Sequence, residues 1–253
     1  MRIIQGVFGL IWKLYIAVVF LITALIMYPI ILPFLNTDEN KKKAFKLFVF
    51  WSWMVRIFTL YFVKYEKKSA IPKGPMLIVA NHTSYLDIFL MYSILPDNAF
   101  LFLGKSEILK YPLIKTYFKK LNIPVFRDNK RKAAKSVIQA LIEVRKGWSI
   151  FIFPEGGIPD VVHPKMIPFK RGAFLIAKQA QVPILPMTFL NNHKLFSDPE
   201  QILGPARPGV SRVQIHDYIS VDTINEMSED ELNQHCFDIV NEPILKEYPQ
   251  LFE

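Results

Sequence analysis

Between Leu14 and Leu35 the chain runs 22 residues without a charged side chain. No other segment constrains the fold as much. As a helix rising 1.5 Å per residue, the run covers about 30 Å, the thickness of bilayer hydrocarbon. Such a helix needs lipid or a large protein core to cover it. Pro29 and Pro33 kink or end it. The run is too long for a cleaved secretion signal, and Asn36-Thr37-Asp38-Glu39-Asn40 offers no small-residue cleavage pattern. A second apolar stretch, Ala44 to Val63, mixes Lys46 and Arg56 with Phe48, Phe50, Trp51, Trp53, Phe58, Tyr61 and Phe62. Aromatic and basic residues together suit a membrane interface better than its centre. Lys41-Lys42-Lys43 lies between the two stretches and favours anionic lipid heads on the cytoplasmic side. We expect residues 1–63 to form a membrane-associated helical segment and residues 64–253 to form one folded domain. The segment is either a hairpin dipping into one leaflet, a span followed by an interfacial helix, or a buried helix pair.

The net charge is +9, from 31 Lys and Arg against 22 Asp and Glu. The basic residues accompany long apolar runs, and no zinc-finger or RNA-recognition pattern occurs, so nucleic acid is not the expected partner. Cys236 is the sole cysteine, which excludes an internal disulfide, and its place in an expected C-terminal helix marks a buried thiol. His163, His193, His216 and His235 show no ligand spacing, so no metal site is expected.

Short apolar runs recur through the rest of the chain. Met76 to Ala80, Ala99 to Leu103, Ile123 to Phe126, Ser149 to Phe153, Val182 to Met187 and Val213 to Ile215 read as strands. Helices are expected from about Ser84, over Ala133 to Arg145, and over Arg171 to Gln181. Ser228-Glu229-Asp230-Glu231 has the form of a capping box opening a last helix. Strands alternating with helices predict an α/β sheet with helices on its faces. In such sheets functional groups gather where strands end. Asn81-His82, Gly104-Lys105 and Pro154-Glu155-Gly156 all stand at such ends.

His82 and Asp87 lie five residues apart. On one regular helix their side chains would diverge by about 140°. They meet if His82 is in the turn and Asp87 in the first helical turn, where Thr83 or Ser84 caps the helix. The carboxylate then fixes one imidazole nitrogen and leaves the other as a base. Ser84 lacks the glycines of a nucleophile elbow and is read as a cap. Arg127 follows the third expected strand and can grip a phosphate at two points, with Lys105 as a point charge. Lys130-Arg131-Lys132 reads as a solvated face. Glu155, before Gly156, either positions a ligand or holds a basic residue, and the glycine lets backbone approach closely.

Taken in order, these segments resemble the 1-acylglycerol-3-phosphate acyltransferase family. Its first motif, His, four residues, Asp, is matched by His82 to Asp87 after the usual Asn81. Lys105-Ser106-Glu107, Ile123 to Arg127, Phe153-Pro154-Glu155-Gly156, Phe169 to Phe174 and Val182 to Pro186 match later segments. The resemblance covers residues of about 65 to 215. Two departures stand out: Gly157 and Ile158 occupy the places of Thr-Arg in the third motif, and Leu121 and Phe126 replace Gly and Asp in the second.

The resemblance implies a mixed sheet flanked by helices, of the glycerolipid acyltransferase kind, with an N-terminal helical membrane motif. It implies transfer of a fatty acyl group from a coenzyme A or acyl carrier protein thioester to the sn-2 hydroxyl of 1-acylglycerol-3-phosphate, a step of phospholipid biosynthesis on the cytoplasmic face of the inner membrane. No cofactor is implied. His82 would be the base and Asp87 its partner, with Lys105, Arg127, Glu155 and Gly156 binding substrate. The missing arginine at Ile158 leaves an aminoacyl lysolipid, such as a lyso-ornithine or lyso-glycine lipid, as an alternative acceptor. A lipid-binding protein without catalysis is the alternative of another class.

Overall fold

Leu77-Ile78-Val79-Ala80 is buried at every position, as only a strand covered on both faces can be. The computed structural model, which describes residues 2–252, places it at the centre of a seven-stranded sheet. The strands are β1 Tyr61–Lys68, β2 Leu77–Ala80, β3 Phe100–Lys105, β4 Ile123–Val125, β5 Ser149–Ile152, β6 Ile184–Phe189 and β7 Gly209–Ile215. Their order across the sheet is β1-β7-β6-β2-β5-β3-β4. From β6 to β4 the neighbours are all parallel. The β6–β7 pair is antiparallel and β1 runs parallel to β7, so the sheet is mixed. The carboxyl ends of β6, β2, β5, β3 and β4 therefore share one edge.

The helices are α1 Arg2–Ile31, α2 Asp38–Phe58, α3 Leu86–Ile94, α4 Pro112–Leu121, α5 Lys130–Arg145, α6 Phe174–Ala180, α7 Asn192–Leu195, α8 Val221–Glu226 and α9 Glu229–Glu247. The capping box at the start of α9 is formed in both directions, Glu231 N–H to Ser228 Oγ at 3.2 Å and Ser228 N–H to Glu231 at 2.8 Å. Cys236 is buried on α9, and burial pushes its thiol pKa up.

The N-terminal helices are not a separate appendage. Phe45, Phe48, Trp51 and Val55 recur along one face of α2 and join the core of the sheet domain. Phe45 meets Phe100 edge to face at 5.1 Å, and Phe48 stacks on Tyr92 at 5.2 Å. At about 1.5–3 kcal/mol for each fully buried large side chain, this face is a major part of the domain's stability. Strand β1 begins at Tyr61, so a boundary after residue 63 cuts it. Of the large apolar side chains in the second stretch, Phe50, Trp53, Ile57 and Phe58 on α2, Leu60 in the turn and Phe62 on β1 point outward.

α1 packs along the domain from Gly6 to Tyr28. Gly6 and Gly9 meet the segment around Leu203 and Gly204, Phe20 stacks on Trp51 at 5.4 Å, and Tyr28 Oη reaches Thr116 on α4 at 3.3 Å. Its opposite face exposes Ile11, Leu14, Val18, Ile22, Leu25 and Ile26. The segment Gln5–Leu35 is long and apolar enough to cross a membrane.

Candidate active site

Every site residue expected from the sequence comes from the shared carboxyl edge. Asn81 closes it: its side-chain amide donates to Phe189 O at 2.9 Å and accepts from Phe189 N–H at 2.8 Å. This pair continues the β2–β6 ladder through a side chain and fixes where the chain turns. His82 follows, 6% exposed, its ring stacked on Phe153 from the end of β5 with centroids 3.9 Å apart.

α3 starts at Leu86, two residues later than the sequence suggested, and this brings Asp87 back to the turn. Asp87 Oδ2 accepts from His82 Nδ1 at 3.0 Å, Thr83 N–H at 2.9 Å and Ser84 N–H at 3.0 Å. A carboxylate oxygen already taking two backbone N–H groups can only accept, so Nδ1 carries the proton and Nε2 keeps its lone pair. The capping work assigned to Thr83 or Ser84 is shared differently. Asp87 takes their N–H groups, and Ser84 Oγ accepts from Leu86 N–H at 3.0 Å while donating to Phe196 O. Ser84 is thereby engaged and not poised as a nucleophile.

Two residues that sequence reasoning did not single out complete the arrangement. Asn192, the first residue of α7, donates from Nδ2 to Asp87 Oδ1 at 2.7 Å. It stands just past the end of β6, so the strand-end rule applied to β6 would have reached it. Lys170 lies over the third-motif turn: a Cβ built on Gly156 would be 2.5 Å from its Nζ. Gly156 has φ +94, which favours glycine, and its bare Cα leaves the room the lysine stem occupies.

Glu155 is buried and directed inward. Its two carboxylate oxygens accept from His82 N–H at 2.8 Å and from Ile167 N–H at 3.2 Å. The sequence left open a ligand or a basic residue as its partner; in the fold it ties the His82 turn to the loop before Phe169. Burial is the main cause that pushes its carboxyl up to about 7, and the two N–H groups oppose that shift.

Lys105, Arg127 and Lys170 gather on the same edge, each keeping an exposed surface. Lys170 has its pKa lowered first by burial against the turn and then by repulsion from Arg127 and Lys105. Arg127 is also lowered by partial desolvation of its guanidinium, with Glu107 and Asp128 opposing. Glu107 pairs with Lys105 at 3.3 Å, and Arg171 turns away to Asp230 at 2.8 Å. A cluster of cations that repel one another, beside a histidine base, is built for an anion. Ile158 adds no charge here, in keeping with the departure seen in the sequence.

A fold with a buried Asp–His pair at the strand ends and a basic mouth defines an acyltransferase of the glycerolipid kind. The acyltransferase family model matches residues 42–190, which takes in α2 as well as the sheet. Protein acl-1 of Caenorhabditis elegans, provisionally named a 1-acyl-sn-glycerol-3-phosphate acyltransferase, is 31% identical over 211 residues, covering 81% of this chain and 75% of that protein. The 1-acyl-sn-glycerol-3-phosphate acyltransferase of Saccharomyces cerevisiae is 33% identical over 138 residues, 53% of this chain and 45% of the yeast protein. The crystal structure of the lysophosphatidic acid acyltransferase PlsC from Thermotoga maritima superposes with a TM-score of 0.75 at 23% identity, covering 97% of both chains. The chain belongs to the 1-acylglycerol-3-phosphate acyltransferase family.

Proposed function

We propose that this enzyme transfers a fatty acyl group from a coenzyme A or acyl carrier protein thioester to the sn-2 hydroxyl of 1-acylglycerol-3-phosphate, yielding phosphatidic acid. His82 Nε2 takes the hydroxyl proton as the oxygen attacks the thioester carbonyl, and the thiol leaves with a proton returned by the imidazolium. Asp87 holds the ring and stabilises its charged form. Since Ser84 is engaged in two hydrogen bonds, transfer is direct and no acyl-enzyme forms. Arg127, Lys105 and Lys170 hold the acceptor phosphate. Glu155 and Asn192 act on the turn and on Asp87, so they are positioning residues.

One observation carries the reading: the Asp87–His82 bond frees Nε2 on the same edge that collects three cations. The cluster favours a doubly charged phosphate over the single carboxylate of a lyso-glycine lipid, and over a lyso-ornithine lipid, whose side-chain ammonium it would repel. The test is a crossed assay of both thioester donors with 1-acylglycerol-3-phosphate, lyso-ornithine lipid and lyso-glycine lipid. Faster transfer to either aminoacyl lysolipid would sink the proposed acceptor, and absence of transfer with every pair would sink catalysis.

The membrane supplies the acceptor. α1 touches the folded domain from Gly6 to Tyr28. A helix so covered on one side cannot stand upright across a bilayer without drawing the domain into hydrocarbon. It lies along one leaflet with Ile11, Leu14 and Val18 in lipid, and the catalytic edge faces the cytoplasm, where acyl thioesters are made.

A further inference from the structure

The segment between α7 and β7 has no role in the chemistry above, yet it is built with care. Its base is closed by Arg207 N–H to Leu195 O at 2.9 Å, Ser197 N–H to Pro205 O at 2.8 Å and the Phe196–Ala206 bridge. Its tip is ordered by Glu200 N–H to Asp198 Oδ1 at 2.9 Å, Gln201 N–H to Asp198 O at 2.9 Å and Gly204 N–H to Gln201 O at 2.8 Å. A tip held this firmly exposes two large apolar side chains, Ile202 at 63% and Leu203 at 61%. Water is a poor partner for a rigid display of this kind.

The tip is clasped to the first turns of α1. A Cβ on Gly9 would lie 2.8 Å from Gly204 O, so that position needs its glycine, and one on Gly6 would lie 3.3 Å from Leu203 Cβ, a close approach of helix and tip. Lys13, the only cation inside the apolar helix after Gln5, is buried and spends its ammonium on the tip, at 2.5 Å from Gln201 O and 3.3 Å from Asp198 O. The base is fastened to the site. Ser84 Oγ donates to Phe196 O, Tyr61 Oη donates to Leu195 O at 3.0 Å, and Trp12 Nε1 on α1 donates to Tyr61 Oη at 3.2 Å. Asp198 and Glu200 also come near enough to the phenol of Tyr85, beside His82, to reinforce the upward pKa shift that burial gives it.

We infer that the tip at Ile202–Leu203 is a membrane-contacting element separate from the helices, seated in the same leaflet as α1 and holding the mouth of the site against the lipid surface. The inference rests on the membrane reading of α1. Its occupant is the bilayer because the tip is continuous with α1, whose outer face presents Val7, Phe8, Ile11 and Leu14 alongside. Glu200 and Gln201 remain at the polar level, so only the two apolar side chains enter lipid.

The test places an environment-sensitive fluorophore on Leu203→Cys; Cys236 is buried and stays unlabelled. The full-length protein is bound to phosphatidylglycerol-containing vesicles. A blue-shifted emission quenched by brominated lipid chains supports the inference; emission unchanged from that of an aqueous dye overturns it, whatever the acceptor of the reaction proves to be. A second variant, Ile202→Ser with Leu203→Ser, is assayed on vesicle-embedded lysolipid and on a short-chain, water-soluble one. Loss of two lipid-buried side chains should lower the vesicle rate by about tenfold or more and leave the soluble rate within about twofold. Equal loss on both would show the tip to be merely structural.

Discussion

Asn192 Nδ2 donates to Asp87 Oδ1 at 2.7 Å while Oδ2 of the same carboxylate holds His82 Nδ1 at 3.0 Å. The base is therefore set by two strand ends at once, β2 through the His82 turn and β6 through α7. Without Asn192, the carboxylate would keep its grip on the turn but lose the bond that fixes its outer oxygen.

Asn192→Ala should lower kcat by about tenfold and leave KM nearly unchanged, since the amide acts through Asp87 and touches no substrate; one hydrogen bond to a charged group is worth about 1.5–3 kcal/mol. Steady-state kinetics on the purified variant check this, with a thermal melt to confirm the fold. A rise in KM with kcat intact would place Asn192 in substrate binding instead.

His82→Ala should cost about 10²–10⁴ in rate with the fold intact, the usual loss on removing a general base. Asp87→Asn should come close to that loss, because an amide can present its NH₂ to Nδ1 and so favour the wrong tautomer. Asp87→Ala should also destabilise, since the Thr83 and Ser84 N–H groups lose their buried acceptor at about 1–3 kcal/mol each. Near-normal turnover by a folded His82→Ala protein would end the proposed mechanism.

Much of this site was legible because its residues follow apolar strands, and an apolar run ending in a polar turn marks a strand end whatever the register. The rest was hidden for physical reasons. Strand β1 alternates burial at the sheet edge, with Lys64 and Glu66 outward, and its Tyr61-Phe62-Val63 start merges with the aromatic stretch of α2. α4 opens on Pro112 and ends at Leu121, so its amphipathic period repeats too few times to stand out before β4 begins. α2 was read toward lipid because aromatic side chains look alike whether protein or lipid covers them; only the packing of Phe45 and Phe48 on Phe100 and Tyr92 decides. Asn192 and Lys170 gain meaning through contacts 105 and 14 residues away in sequence, Asp87 and Gly156 respectively.

The cations predict acceptor selectivity. Arg127→Ala should raise KM for 1-acylglycerol-3-phosphate about tenfold, from the loss of a charged hydrogen bond. Lys170→Ala, at a more exposed point charge, should raise it about fivefold, and Lys170→Arg should recover most of that. A phosphate-free lysolipid should be nearly indifferent to all three. If Lys170→Ala slows both acceptors equally, the lysine supports the Gly156 turn or serves the donor.

Glu155 predicts a pH signature in stability. Folded Glu155 keeps its proton up to about 7, whereas an unfolded glutamate loses it near about 4.3. Between those values the folded state binds more protons, so this contribution is full below about pH 4 and is lost as the pH rises through about 7, on the order of 4 kcal/mol in all. Glu155→Gln does not titrate. The Tm gap between the native protein and Glu155→Gln should narrow as pH rises from about 5 to about 8. A gap that widens would mean the carboxylate is the stabilising form.

The N-terminal region predicts two separate outcomes. Deleting residues 1–63 removes Phe45, Phe48, Trp51, Val55 and Tyr61 from the core. At about 1.5–3 kcal/mol each, that loss matches the whole stability of a typical domain, about 5–15 kcal/mol, so the truncated chain should not fold. A cooperative melt from it would show that the helices are dispensable. Membrane contact is better tested on the outer face of α1, where Ile11 is 60% exposed and Leu14 is 59% exposed. The full-length protein should stay with membranes in high salt, because burial of apolar surface is not screened as ion pairing is. Ile11→Ser with Leu14→Ser and Val18→Ser should shift it toward the soluble fraction while its thermal melt stays close to that of the native protein, since those side chains are more than half exposed and lie outside the core. Release of the native protein by salt alone would make the association electrostatic, carried by groups such as Lys42 and Lys43, and the reading of α1 as inserted in one leaflet would be wrong.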